Sequence, residues 1–300
     1  MEVKKALDIA KRKCSGEPIP IQVNEFDFSH LYNFATEAIA FYIKYFDLNN
    51  KSLLTVGSSC DQVIEAYARG ASKVRVVDIN YFTKYYFYLK KAALLTLDLK
   101  DYLNYLSYNR LGYKTNDGIN QDILSTTLFE KIKPCLKSLN NDAYLFWTEL
   151  YGLYNGREIF EKMFFTFQEL TDEEKKKCLT YLSSNKEFKN AKEKIIDKDP
   201  FFNCSNFMNY NARYYYDNIW LSNILEYMSL FESEHITQKV VNCTRSNGKA
   251  LICYLFAPGF LGSLDIIKDK YHLDSIDVVG YHNVDQQQVL IYTKRGNTKK

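Results

Sequence analysis

Ser52-Leu-Leu-Thr-Val-Gly57-Ser-Ser-Cys-Asp61-Gln-Val-Ile-Glu-Ala-Tyr-Ala-Arg-Gly70-Ala-Ser-Lys-Val-Arg-Val-Val-Asp78 decides the fold of this chain. Leu53 to Val56 is a short apolar run that stops at Gly57. Small and polar residues follow, then a helical stretch from Asp61 to Arg69 closed by Gly70. Val74 to Val77 is a second, β-branched run that ends on Asp78. Strand, tight loop, helix, strand and acid make up the first half of a nucleotide-binding Rossmann unit. Glycine lets the loop backbone turn sharply and approach a ligand. The helix start offers free N–H groups and a positive dipole end. An acid at the end of the second strand can accept both hydroxyls of a ribose.

The remaining sequence extends this α/β pattern. Tyr81 to Leu97 reads as a helix whose aromatics pack in the core. Residues 98 to 199 break the alternation with a run of helices, including Ile159–Leu170 and Asp172–Leu182, and form an insertion or a cap over the site. Strands then resume at Pro200–Cys204, Asp217–Leu221 and Ala250–Phe256, with Ile224–Thr244 mostly helical and a turn at Asn247-Gly248. Ile276–Val279 and Val289–Thr293 read as an antiparallel pair at the sheet edge. Residues 1 to 50 read as an N-terminal helical segment, with helical spacing from Leu31 to Phe46. The Rossmann-like domain therefore comprises 51–97 and 200–295.

Composition narrows the function. Hydrophobic residues at 46% and charged residues at 25% suit a soluble globular protein. A net charge of +3 with no basic stripe does not favour nucleic acid. The seven cysteines are scattered and odd in number, which argues against a disulfide framework, and the four histidines make no metal pattern. No apolar run is long enough to span a bilayer, and the N-terminus lacks a signal-peptide core, so the expected location is cytoplasmic. That leaves room for a peripheral contact with a membrane.

The loop chemistry then separates cofactors. A dinucleotide site calls for G-x-G-x-x-G, but after Gly57 come Ser58, Ser59, Cys60, Asp61 and Gln62. S-adenosylmethionine has no phosphate, so a looser, more polar loop suffices. The closing antiparallel strand pair also fits that cofactor better than a dehydrogenase.

Leu54-Thr-Val-Gly57-Ser58 with Asp61-Gln62, Val77-Asp78-Ile79-Asn80 and Leu89-Lys-Lys-Ala-Ala-Leu94 resemble the proteins related to betaine-lipid synthases. Leu221-Ser222-Asn223-Ile224 with Glu226-Tyr227-Met228-Ser229 is similar to a later motif of that family. One departure is Cys60, where these relatives carry a glycine. The resemblance spans about 50–105 and 200–295. It implies a Rossmann-like sheet of the S-adenosylmethionine-dependent methyltransferase type, and transfer of the 3-amino-3-carboxypropyl group to a small-molecule or lipid acceptor. Methyl transfer is the alternative, and a non-catalytic nucleotide-binding protein is the alternative of another class. Ser222-Asn223-Ile224-Leu225 lacks the Pro-Pro pair of amino-directed base methylation.

Carried over by position, Gly57, Ser58, Ser59 and Asp61 would line the amino acid end of the cofactor. Asp78 would bind the ribose with Asn80 beside it, and Asn203 or Cys204 would lie near the adenine. Ser222 and Asn223 would face the sulfonium and the acceptor, with Tyr227 as a candidate proton acceptor. Asp61 reads equally as a cap for the following helix, and Tyr227 reads more readily as a core residue. Cys60 reads as an inert small residue rather than a reactive thiol.

Overall fold

A computed structural model of the chain describes residues 3–17, 19, 22–23, 26–107, 123–165, 171–211, 214–254, 268–280 and 288–296. Its centre is a seven-stranded sheet. In chain order the strands are β1 (Ser52–Val56), β2 (Lys73–Asp78), β3 (Phe201–Cys204), β4 (Tyr216–Trp220), β5 (Thr244–Tyr254), β6 (Leu273–Gly280) and β7 (Gln288–Lys294). Their spatial order is β3-β2-β1-β4-β5-β7-β6. The first five run parallel; β7 is antiparallel to both β5 and β6. This is the Rossmann-like α/β sheet expected from the sequence, with β6 rather than β7 at the edge. The order reverses between β1 and β4, and a crevice opens at such a switch point beyond the carboxyl ends of the strands.

Alternating side chains of the central strands feed two cores. Leu53, Val74, Val76 and Trp220 face one side, where α2 (Asp61–Ala68) and α3 (Thr83–Thr96) cover the sheet. Leu54, Val56, Val77 and Ile219 face the other, under Ile236, Val240 and Val241 of α10 (Leu230–Cys243). A strand covered on both faces reads as a continuous apolar run, and this explains β1.

The helices between α3 and β3 are α4 (Leu99–Leu106), α5 (Thr126–Leu139), α6 (Asn141–Leu153), α7 (Gly156–Met163), α8 (Asp172–Cys178) and α9 (Asn185–Ile195). They join the core of α2 and α3: Tyr85 stacks on Phe146 at 4.5 Å, and the indole of Trp147 donates to the Tyr85 carbonyl at 2.8 Å. The expected helix Ile159–Leu170 stops at Met163, where Phe164 turns extended and pairs with Leu31, and 166–170 lie outside the described residues, as does Phe256; the expected helix Asp172–Leu182 stops at Cys178 and is followed by a 3-10 turn, Thr180–Leu182.

Two further local expectations are corrected. Leu31–Phe46 is not one helix: α1 (Val3–Cys14) precedes it, and helical structure after it is confined to Ile39–Tyr42 and the 3-10 turn Ile43–Tyr45. The backbone groups a helix would use are committed elsewhere. The Leu31 N–H donates to Met163 O at 2.7 Å, its carbonyl accepts from Phe165, and the Ala35 N–H donates to Asp61. Asn247-Gly248 does not end a strand. It lies within β5, where Tyr216 pairs with Thr244 but Asn218 with Lys249, and Asn247 has φ 61°. The extra residues form a bulge, which uses the same left-handed backbone as a turn.

Candidate functional site

The strand ends at the switch point enclose a cleft of about 840 Å³, counted out to its open mouth. Val56 and Ser58 reach it from β1, and Val77 to Asn80 with Thr83 from β2. Ser205 to Phe207 follow β3, and Ser222 to Ile224 with Tyr227 and Met228 follow β4. Phe28, His30 and Tyr32 from the N-terminal segment form the remaining described wall. No described residue of 98–199 lines the cleft. That block touches it indirectly, through Phe165 packed on the rings of His30 and Tyr32 at 5.0 and 4.5 Å.

The loop after β1 is built tightly. A Cβ on Gly57 would come within 2.5 Å of Asp78 Oδ2 and 2.3 Å of Thr83 Cγ2, so a side chain there would displace the acid or the start of α3. Ser58 (φ 45°) and Cys60 (φ 65°) are both left-handed without being glycine. Such residues cost on the order of 1–3 kcal/mol each and persist where the surroundings enforce them. Cys60 therefore adopts the left-handed backbone that favours glycine. Its thiol is fully buried and burial pushes its pKa well up, so it is inert.

A buried network enforces the loop from beneath. Asp61 is fully buried and pairs with Lys90 Nζ at 2.6 Å. It also accepts from the Ala35 N–H at 2.6 Å, Ser59 Oγ at 2.8 Å and Tyr181 OH at 2.7 Å. Lys90 donates in turn to the carbonyls of Ser59 and Asn33 at 3.0 and 2.8 Å. Burial lowers the Lys90 pKa and the Asp61 charge opposes that shift. Asp61 and Ser59 are not among the described residues that line the cleft, and Asp61 is the first residue of α2, with Cys60 at the N-cap position.

Asp78 is half-buried at the end of β2. Its Oδ2 accepts from the Ser58 N–H at 2.8 Å and its Oδ1 from the Asn80 N–H at 2.8 Å. Burial raises its pKa, and those amide donors pull it back. Asn80 caps the next turn through the Phe82 N–H at 2.8 Å and donates to His30 O at 2.9 Å, fastening the N-terminal segment to the acid.

Past β4, Ser222 is left-handed at φ 56°. Asn223 donates to Glu226 at 3.1 Å and to Tyr227 OH at 3.3 Å. Tyr227 packs edge-on against Phe28 at 5.2 Å, and it and burial raise the pKa of Tyr32. Of the residues picked from sequence, Ser58, Asp78, Asn80, Ser222, Asn223 and Tyr227 meet at the cleft. Gly57 supports it from behind. Asn203 and Cys204 remain in β3, with Cys204 exposed, and the wall there begins at Ser205.

The sequence reading missed Phe28, His30 and Tyr32. Their strict alternation is an extended-chain pattern that could have marked one face of the segment. Also missed is Glu37, 4% exposed, whose pKa is raised to about 7 by burial against hydrogen bonds from Tyr42 and Gln62. Among the described lining residues there is no lysine or arginine. No group of described residues could hold a metal ion, and no described helix is long and apolar enough to cross a membrane.

No protein-family model and no curated protein sequence matches the chain. Similar solved structures include magnesium protoporphyrin IX methyltransferase from Synechocystis PCC 6803 with bound S-adenosylmethionine, at 9% identity and TM-score 0.40, over 97% of this chain and 83% of that one. The N-methyltransferase NodS from Bradyrhizobium japonicum WM9, in complex with S-adenosyl-L-homocysteine, is 6% identical at TM-score 0.36, over 96% and 98%. An rRNA methylase from Streptococcus thermophilus is 8% identical at TM-score 0.33, over 83% and 90%.

Proposed function

We propose that the cleft binds S-adenosylmethionine and that the protein is a transferase drawing on it. One observation carries this reading: Asp78 faces a cleft without lysine or arginine among its described residues, and it already occupies the Ser58 N–H of the loop. A dinucleotide would bring a pyrophosphate to that loop, where the Ser58 N–H is already taken and no lysine or arginine of the described lining offers a charge. A sulfonium cation meets the opposite situation: a carboxylate, and the rings of Phe28, Tyr32 and Tyr227. Asp78 takes the ribose hydroxyls through its remaining lone pairs. The adenine lies between Ile79 and Phe207, and the sulfonium faces Asn223 and Tyr227.

The reaction is a displacement at a carbon already activated by sulfur. The acceptor's lone pair forms the new bond, the carbon–sulfur bond breaks, and its electrons stay on a neutral thioether. Holding nucleophile, carbon and sulfur in line supplies much of the rate. Asn223 and Tyr227 orient the acceptor, the Tyr227 hydroxyl oxygen accepting its hydrogen bond, and the acceptor's proton passes to solvent as the new bond forms. The transferred group, following the resemblance of the strand-end motifs, is 3-amino-3-carboxypropyl. The apolar wall of Phe28, Phe207, Ile224 and Met228 suits an apolar acceptor, such as a lipid hydroxyl at a membrane surface. Methyl transfer is the second reading, because either carbon on sulfur can be turned toward Asn223. The sulfur product tests the choice. Methylthioadenosine marks aminocarboxypropyl transfer, S-adenosylhomocysteine marks methyl transfer, and an untouched cofactor in the presence of lipid and small-molecule acceptors would leave a binding protein.

A further inference from the structure

Glu37 is a costly residue that the reading above leaves unused. It is 4% exposed, yet among the described residues its carboxylate meets no cation. It accepts from the Tyr42 hydroxyl at 3.0 Å, from the Gln62 amide at 3.3 and 3.4 Å, and from the Ser222 hydroxyl. These donors come from three places: the Ile39–Tyr42 turn, the first turn of α2, and the end of β4. The charged or titratable groups that bear on it are the Tyr42 hydroxyl and the carboxylate of Glu226, and Glu226 repels its charge. A buried acid given only neutral donors and a second acid nearby is incomplete as a structural ion.

Its position supplies the missing partner. Ser222, one hydroxyl away, lines the cleft and is held in its left-handed backbone beside Asn223, whose Oδ1 is 3.3 Å from Ser222 Oγ. Gln62 begins the helix that follows the loop, with its Oε1 3.5 Å from Thr55 Oγ1 of β1. Glu37 therefore sits at the reversal of the sheet, on the opposite side of the β1 loop from Asp78. A ligand with its ribose on Asp78 extends its other end toward Ser222.

We infer that Glu37 is a cofactor-binding residue: through Ser222, its carboxylate holds the ammonium group at the amino acid end of the cofactor. This rests on the proposed cofactor and adds a site for its charged tail. Ser222 accepts from the ammonium while donating to Glu37, so one hydroxyl links the two charges. The proton balance follows. In the empty protein burial raises the Glu37 pKa to about 7, so at pH 6.5 the protonated acid is the larger share. The incoming cation favours the carboxylate, and the proton leaves to the buffer.

The test uses two thioethers that share adenosine and differ at the tail. S-adenosylhomocysteine has the ammonium group; methylthioadenosine does not. Glu37→Gln keeps the shape of the protonated acid and is checked for folding by near-ultraviolet circular dichroism. Calorimetry at pH 6.5, in two buffers of different ionisation enthalpy, gives affinity and proton release together. Wild type should bind S-adenosylhomocysteine with release of a proton. The Gln variant should bind it about tenfold or more weakly, with no release, a loss in the range of one charge-assisted bond. Methylthioadenosine should bind both proteins about equally, without release. Equal weakening of both ligands would make Glu37 a structural support and overturn the inference. So would unchanged binding of S-adenosylhomocysteine. Failure of wild type to bind either ligand would instead overturn the cofactor assignment.

Discussion

Asp78→Asn is the substitution that separates the ribose ligand from the loop support. Asp78 lines the cleft, and each of its carboxylate oxygens accepts a backbone N–H at 2.8 Å. Asparagine keeps the shape but places an NH2 group against the amide of either Ser58 or Asn80. One charge-assisted hydrogen bond is lost, worth about 1.5–3 kcal/mol, so the melting point should fall by several degrees. The ribose loses an ionised acceptor. Bonds to a charged group contribute about 1.5–3 kcal/mol, and each 1.4 kcal/mol is tenfold, so affinity should drop by about ten- to 150-fold. Calorimetry on wild type and variant with S-adenosylmethionine and with methylthioadenosine measures it. Both ligands carry the ribose, so both should weaken alike. Unchanged affinity for both would remove Asp78 from the ribose. Loss of S-adenosylmethionine alone would assign it to the other end of the ligand.

Lys90→Met strands the Asp61 carboxylate in a fully buried site and should cost about 3–5 kcal/mol in denaturant unfolding, while Asp61→Asn in the same chain should recover part of it. Equal stability of single and double variants would contradict that coupling. Glu65 is fully buried, accepts from the Tyr181 N–H at 3.1 Å, and has its Oε2 unpartnered among the described residues. Burial raises its pKa to about 7. Against an unfolded value of about 4.3 the folded state holds the extra proton in between, so this group lowers stability as pH rises through that window, by about 4 kcal/mol at most. Glu65→Gln should therefore melt above wild type at pH 8 and alongside it near pH 4; a gap that does not depend on pH would refute the assignment. Asn223→Ala should lower turnover by about tenfold or more with cofactor affinity within about threefold, because orientation acts on rate. Turnover is read from slow cofactor breakdown or from a lipid extract, and equal losses would make Asn223 a cofactor ligand.

The part of the fold legible in sequence is the part whose pattern has a single cause. From Ser52 to Asp78, two runs covered on both faces flank one amphipathic helix, and only a βαβ unit fits them. The Leu31–Phe46 spacing misleads because Phe34, Ala35, Ala38 and Ile39 are buried by surrounding tertiary contacts, not along one helical face. Asn247-Gly248 misleads because bulge and turn share one backbone conformation. In the cleft, Asp78 and Ser222-Asn223 follow from strand ends, since side chains there project past the sheet. Asp61 does not, because the partner that claims it, Lys90, arrives from the next helix. The cleft wall beyond β3 is Ser205–Phe207 rather than Asn203 and Cys204 because β3 continues through Cys204 before the chain turns into the cleft. Glu37 is invisible in sequence, since nothing local tells a buried acid from a surface one.

The central claim is that this cleft takes a sulfonium nucleoside and not a dinucleotide. Thermal unfolding of the wild-type protein with S-adenosylmethionine, and separately with NAD, tests it most directly. A ligand that binds only the folded state adds about 2.7 kcal/mol at a hundred times its dissociation constant, a shift of several degrees. The account predicts a saturable rise with S-adenosylmethionine and none with NAD at millimolar concentration. A rise with NAD and none with S-adenosylmethionine would contradict it.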